Sequence, residues 1–373
     1  MEKKDRIINF ENHIEISLKK NGFDLSCFDK KSFCIGAAVS GGADSVSLLV
    51  ALCHISRKYK IPVRAVTVNH NIRSSEESGG DADFVVSLGK KLCAEGFDVK
   101  VVVKELERGK VFFEAERRGN GIEEAARSLR YGAFEEFAAQ ENPGFIALAH
   151  NKNDQIETLL MRFLQGSGNS GLCGIGGRRG IFVRPLLDVS RAEIEEYLAA
   201  QGILWRTDST NFDTNYMRNR IRRNLVPFLN ENFFGFEKAL LNGAVKAAED
   251  EEALCSFLKK DLWILKKDRV ECFAEEFLHL PEALKRRQIF AGIDLLAENS
   301  ARDAGFLKDL RGEKLSGEKI SGGRIPFLFV KEFLDAVDAF CSNSCGKKSV
   351  KKMRRGFCFL LTEKKLKSKR MNC

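Results

Sequence analysis

The chain is expected to be an α/β protein: a parallel sheet covered on both faces, then a smaller, mostly helical C-terminal domain and a basic C-terminal segment. Three observations carry this. Short apolar runs alternate with amphipathic segments through the N-terminal part, the pattern of βαβ units. That alternation stops after about residue 235. From Lys347 to Cys373 there are eleven Lys and Arg against one acid, Glu363, a net of +10, so the rest of this +9 chain carries −1. The expected boundaries are 1–235, 236–345 and 346–373, in keeping with roughly 150 residues per domain.

The first thirty residues read as a helix with Ile7, Ile8, Ile14 and Leu18 on its apolar side. Four runs then read as buried strands: Phe33 to Val39, Val63 to Val68, Val99 to Val103 and Phe145 to Ala149. Between them Asp44 to Tyr59, Gly80 to Cys93 and Ile122 to Ala139 have helical periodicity. A further helix, Asn153 to Gln165, carries Ile156, Leu159, Leu160, Phe163 and Leu164 at helical spacing. A glycine-dense loop, Gly166 to Gly180, leads through Arg184-Pro185-Leu186-Leu187 to a helix from Ser190 to Gln201. A polar loop, Asp208 to Asn215, precedes a helix from Met217 to Leu229. Beyond it, Glu237 to Leu265 and the stretch starting at Leu278 read as helical, with strand-like pieces at Arg324 to Val330 and Phe357 to Leu361.

Composition narrows the class. At 44% hydrophobic and 30% charged the chain can build a core, and no apolar window reaches membrane-spanning length. The charged start, Met1 to Arg6, lacks an apolar signal region, and the eleven Cys are scattered with no C-x-x-C. Reduced thiols and a cytoplasmic location are expected, without structural zinc. The basic segment, interleaved with Phe357, Phe359, Leu360 and Leu361, suits a polyanion such as RNA, while a solvated tail is the plainer reading.

Ser40-Gly41-Gly42-Ala43-Asp44-Ser45 follows the first strand and opens a helix. Glycines let an anion approach the backbone, and helix N-terminal N–H groups point at it. The loop has neither the Lys of a Walker A sequence nor G-x-G-x-x-G spacing. An acid beside a phosphate cradle calls for a bridging cation, so Asp44 is expected to hold Mg²⁺. The alternative, a dipole partner at a helix start, accounts for Asp44 but not for the glycines.

These residues resemble the PP-loop of the N-type ATP pyrophosphatases, which implies a Rossmann-like catalytic domain that splits ATP into AMP and pyrophosphate. Further segments resemble the tRNA(Ile)-lysidine synthase family. Asn69-His70-Asn71-Ile72-Arg73 is similar to its H-G-hydrophobic-R, with Asn71 in place of Gly and able to take the left-handed turn. Glu123-Glu124-Ala125-Ala126-Arg127-Ser128-Leu129-Arg130-Tyr131 is similar to its E-x-A-A-R-x-x-R-Y helix, with Ile122, Ala126, Leu129, Ala133 and Phe137 as the buried stripe. Glu123, Arg127 and Arg130 along its flank read equally as surface ion pairs. In Ala149-His150-Asn151-Lys152-Asn153-Asp154-Gln155-Ile156-Glu157 two carboxylates project together, opposite Ile156, Leu160 and Phe163, and suit a metal, an amine or a favourable first turn. Arg184-Pro185-Leu186-Leu187, Trp205 to Asn211 and Tyr216-Met217-Arg218-Asn219-Arg220-Ile221-Arg222 together are the most discriminating likeness, with Arg218 and Arg222 one turn apart. The resemblance covers about residues 33 to 230 and is weaker beyond.

The resemblance implies a ligase acting in tRNA modification. Lysine is joined to C2 of the wobble cytidine of tRNA(Ile) with anticodon CAU, through an adenylated cytidine, forming lysidine and switching reading from AUG to AUA. It implies ATP held by Ser40, Gly41, Gly42, Ala43, Asp44 and Ser45, with Mg²⁺ at Asp44 and Asp154. Asp44, Asp154 and Arg218 are the catalytic candidates. His70, Arg127, Arg130, His150, Glu157 and Arg222 are candidate contacts to substrate or phosphate. Partners are the tRNA and free L-lysine, with no membrane; a homodimer is compatible with the sequence. Two rivals stand beside this reading. A PP-loop tRNA thiolase would need activated cysteines, and Cys173 is single in its loop. A non-catalytic RNA-binding protein would have little reason to keep the loop intact.

Overall fold

The structure, a computed structural model, describes residues 3–28, 33–71, 75–119, 121–206, 217–266, 270–302, 349–354 and 357–362. The expected strand at 324–330, Arg73, and the segment 207–216 lie outside these residues. The chain divides into two units, Met1–Ala248 and Glu249–Cys373. Among the described residues no helix is long and apolar enough to cross a membrane.

In the first unit α1 (Lys3–Lys20) precedes β1 (Ile35–Ala38), α2 (Ala43–Tyr59), β2 (Val63–Asn69), α3 (Ser75–Ala94) and β3 (Val99–Glu105). Then come α4 (Lys110–Arg118), α5 (Ile122–Glu141), β4 (Phe145–Ala147), α6 (Lys152–Leu164), α7 (Asn169–Leu172), β5 (Arg178–Arg179), β6 (Phe182–Val183) and α8 (Arg191–Gln201). The sheet order is β3-β2-β1-β4-β6-β5, parallel except for the short edge strand β5.

Both faces are buried, which is why the strands read as unbroken apolar runs. Alternate residues divide between two cores, as the two-residue strand period requires. Val63 and Ala65 of β2, with Phe145 and Ala147 of β4, pack with α1, α2, α3 and α8. Val66, Ile146 and Leu148 face the other way, against Phe134 and Phe137 of α5. The α1 face buries Phe10, Ile14 and Leu18, and the helix stops at Lys20, short of the expected thirty residues.

Strand order reverses between β1 and β4: the chain leaves β1 toward β2 and leaves β4 toward β6. A crevice opens at such a switch point, outside the carboxyl ends of the strands. The loop after β1 and the start of α6 flank it.

Some expectations change. Ile122 is 40% exposed and Phe163 67% exposed, because each sits at a helix end beyond the elements that cover its neighbours. The stripe of α5 runs instead through Ala125, Ala126, Ala133, Phe134 and Phe137. The helix α4 was not foreseen; it packs on α5 through Val111 and Ala115. The helix from Met217 is continuous but not uniform: α9 (Met217–Arg220), a π-helical segment (Ile221–Leu225) and α10 (Val226–Asn232).

The long helix α11 (Phe236–Ser256) ends well before Leu265, which lies instead in β7 (Ile264–Leu265). The second unit contains β7, β8 (Val270–Phe273), α12 (Ala274–Leu278), α13 (Glu282–Arg302), β9 (Ser349–Arg354) and β10 (Phe357–Thr362). Beside its helices it therefore carries a four-stranded sheet of order β7-β8-β10-β9. Trp263 anchors it, with its indole N–H donating to the Gln288 carbonyl at 2.6 Å.

Candidate active site

The loop after β1 is built for an anion. Gly41 sits at φ +87°, a conformation that favours glycine, and turns the chain into α2. No side chain caps the start of α2, so its first N–H groups are available to a ligand. Ser45 braces the loop rather than projecting from it: its hydroxyl donates to the Gly42 carbonyl at 2.9 Å and accepts from the Ser40 N–H at 3.1 Å. Ser40 itself is exposed at the loop's rim, and Ala43 is buried beneath it.

Asp44 is held from two sides. Its Oδ1 accepts from Asn151 Nδ2 at 2.9 Å, and its Oδ2 pairs with Arg191 Nη1 at 2.9 Å. Burial pushes its carboxyl above the usual range, against the pull of Arg191 and Asn151, and the nearby charge of Asp154 pushes it further.

Asn151 and Asp154 form a reciprocal capping box at the start of α6, which fixes Asp154 close to the loop. Arg218 then spans the pair of α6 acids, Nη2 to Asp154 Oδ1 at 2.8 Å and Nε to Glu157 Oε2 at 2.9 Å. Arg222 binds Glu157 through Nε and, at 3.0 Å, through Nη2. Glu157 is 2% exposed, and this fork geometry is what allows a carboxylate to be buried there. Three carboxylates are thus matched by three guanidiniums.

The other predicted residues lie toward α5. Asn71 takes the left-handed conformation (φ +49°), bracing the turn with its Nδ2 on the Leu106 carbonyl at 2.7 Å. His70, just before it, accepts from Arg130 Nε at 3.2 Å. Burial, and then Arg130, push its imidazole down to about 4. His150 lies three residues past β4; burial first, then Arg184, Arg127, Arg218 and Arg130, push it down to about 3. Arg127 leans over the Tyr131 ring, 5.3 Å from its centre. Asn151, Arg184 and Arg191 were not foreseen as site residues. The N-x-x-D spacing marks Asn151 as a cap, but nothing local marks Arg191, whose partner is 147 residues away.

A fold with its crevice at the β1/β4 switch point, and a glycine loop with an acid at its helix start, define a nucleotide-handling α/β domain. The PP-loop domain family model matches residues 10–229, and the chain belongs to that family, which implies use of ATP. Among similar proteins, the tRNA(Ile)-lysidine synthase of Treponema denticola is 43% identical over 263 residues, 69% of this chain and 56% of that protein. That of Clostridium acetobutylicum is 37% identical over 214 residues, 57% of this chain and 44% of that protein. The chain therefore matches about half the length of these relatives. Among solved structures, a U34-tRNA thiolase from Methanococcus maripaludis with its [4Fe-4S] cluster shares the fold, with TM-score 0.51 and 16% identity over 71% of this chain and 84% of that one.

Proposed function

We propose that the chain is a tRNA(Ile)-lysidine synthase, joining L-lysine to C2 of the wobble cytidine in tRNA(Ile) with anticodon CAU. The observation that carries this reading is the Asp154–Glu157 pair, bridged by Arg218 and Arg222 and set beside an uncapped phosphate loop. Acids next to a nucleotide site are suited to an amine substrate. The loop 40–45 holds the β- and γ-phosphates on its N–H groups. The cytidine O2 attacks the α-phosphorus, and pyrophosphate leaves. The neutral ε-amine of lysine then attacks C2, AMP departs with the O2 oxygen, and the amine gives up its proton.

Asp44 and Asp154 are hard oxygen donors held together by Asn151, whose Nδ2 donates to Asp44 and whose backbone N–H and Oδ1 close the capping box with Asp154, which fits a divalent cation between them. Among the described residues no third His, Cys, Asp or Glu joins them, so phosphate oxygens and water would complete the shell. Mg²⁺ bound there supplies charge neutralisation at the phosphates. Arg191, which pairs with Asp44 and through Nε with Glu195 at 2.6 Å, would keep the second partner if Asp44 held the cation. Glu157 orients the lysine amine, with Arg218 and Arg222 setting its geometry. We assign catalysis to residues 1–235 in the cytoplasm, and tRNA grip to 236–345 and the basic segment 346–373.

The test is incorporation of labelled lysine into an unmodified tRNA(Ile) transcript with ATP and Mg²⁺. Wild-type protein should incorporate lysine, and Asp44→Ala should lose about 100-fold or more of the rate. AMP release that needs the tRNA but not lysine would replace this reading with another PP-loop reaction, such as thiolation. Neither product, from folded protein, would leave RNA binding alone.

A further inference from the structure

The arginines of this edge fall into two sets. Arg191, Arg218 and Arg222 each sit on a carboxylate. Arg127, Arg130 and Arg184 have no such partner among the described residues. Arg184 is the telling case: it is 6% exposed, its Nη1 donates to the Gly176 carbonyl at 2.9 Å, and its Nε is buried without a partner. A guanidinium buried without an anion is costly to keep.

Two more buried polar atoms lie in the same region without partners, Nδ1 of His70 and Nδ1 of His150. Because Arg130 donates to His70 Nε2, the proton of the neutral ring sits on Nδ1, an unused buried donor. His150 lies within electrostatic reach of Arg184, Arg127, Arg218 and Arg130, and of these only Arg218 is paired with carboxylates among the described residues. Glu123 is within electrostatic reach of Arg130 and makes no ion pair with it. The topology explains the convergence. His70, His150 and Arg184 follow the ends of β2, β4 and β6, while α5 crosses that face and brings Arg127 and Arg130 over the strand ends.

We infer that Arg127, Arg130 and Arg184, with His70 and His150, form a second oxyanion pocket, distinct from the loop 40–45, that takes a phosphate ester. Resting on the proposed reading, its occupant is a phosphodiester of the RNA beside the base being modified; a phosphate of the nucleotide is the other source of the same chemistry. The loop at α2 already serves the triphosphate with its own helix N-terminus. A set of uncompensated cations where α5 crosses the strand ends answers to a different phosphate. Arg127 and Arg130 reach the ligand, and Arg184 is a positioning residue that supplies charge from beneath.

The test uses the full chain and no turnover. Binding of the unmodified tRNA(Ile) transcript is measured from about 50 to about 300 mM salt, alongside a non-hydrolysable ATP analogue with Mg²⁺. The R127Q/R130Q double variant should bind RNA about tenfold more weakly, with a salt slope shallower by about 0.7 for each phosphate no longer neutralised. Its affinity for the ATP analogue should stay unchanged. A loss confined to the analogue would give the pocket to the nucleotide and overturn the RNA assignment. No change in either would overturn the pocket. For the buried position, R184M should weaken RNA binding while the ligand-free protein melts at the same or a higher temperature. A lower melting temperature with unchanged affinity would make Arg184 a structural strut. Should wild-type protein incorporate no lysine while the slope still changes, the pocket stands and the proposed reaction alone fails.

Discussion

Asp44 and His150 show how far this site departs from what either residue does in water. Asp44 is pushed toward its neutral form by burial, against the pull of Arg191 and Asn151. His150 is kept neutral by burial and by four guanidiniums. The imidazole has a consequence for stability. Below about pH 6.5 the unfolded chain takes up a proton on this histidine, while the folded chain resists until about pH 3. The unfolded state therefore binds more protons across that window, and stability falls as pH falls through it. From pH 7 to pH 5 this one group should cost about 1–2 kcal/mol. Urea unfolding at the two pH values should show that His150→Gln loses less stability than wild type by that amount. Equal losses would mean the ring is protonated in the folded protein. His70, pushed down to about 4, contributes in the same direction over a narrower window.

At the scale of elements, the approach of β1 to β4 is what brings the phosphate loop to α6, and one glycine sets it. A Cβ on Gly36 would stand 2.7 Å from the Phe145 carbonyl oxygen and 3.0 Å from Ile146 Cγ1. Gly36→Ala should therefore cost about 1–3 kcal/mol in urea unfolding, as overpacking does. Gly132 in α5 meets nothing within 4 Å, so Gly132→Ala should be neutral or stabilise by up to about 1 kcal/mol. Equal effects at the two positions would refute this account of the strand contact. The same strands were the legible part of the sequence, because burial on both faces writes an apolar run that needs no partner to be recognised. The glycine turn from β1 into α2 was legible too, since its glycines, acid and helix start are adjacent. What escaped depends on distant contacts. Helix α4 mixes Phe112 and Phe113 with five charged residues, and only Val111 and Ala115 reach the core. Arg191 belongs to the site solely through a partner brought in by the sheet. Strands β7 and β8 are two and four residues long, too short for a pattern.

For the whole molecule, the placement of charge has to be separated from the placement of strands. If the basic C-terminal segment acts through its charge, ending the chain near Ser344 is the obvious way to weaken RNA binding. The sheet changes what that cut would do. β10 lies between β8 and β9, pairing with Val270 to Phe273 on one side and Ser349 to Arg354 on the other. Ending the chain at Ser344 would remove two of four strands and leave β8 with an open edge, so any loss of affinity would mix charge with unfolding. A cut after Thr362 keeps every described strand. It removes five basic residues, Lys364, Lys365, Lys367, Lys369 and Arg370, against one acid, Glu363. The shortened protein should keep the melting behaviour of the full chain yet bind the tRNA(Ile) transcript less tightly, with a shallower dependence on salt. Its rate of lysine incorporation at saturating tRNA should be unchanged, because the residues removed lie outside the segment 1–235 to which the chemistry is assigned. Full affinity and an unchanged slope would show that the cations of residues 364–370 do not meet RNA, leaving Lys347 to Arg355 as the only part of the basic segment able to grip it.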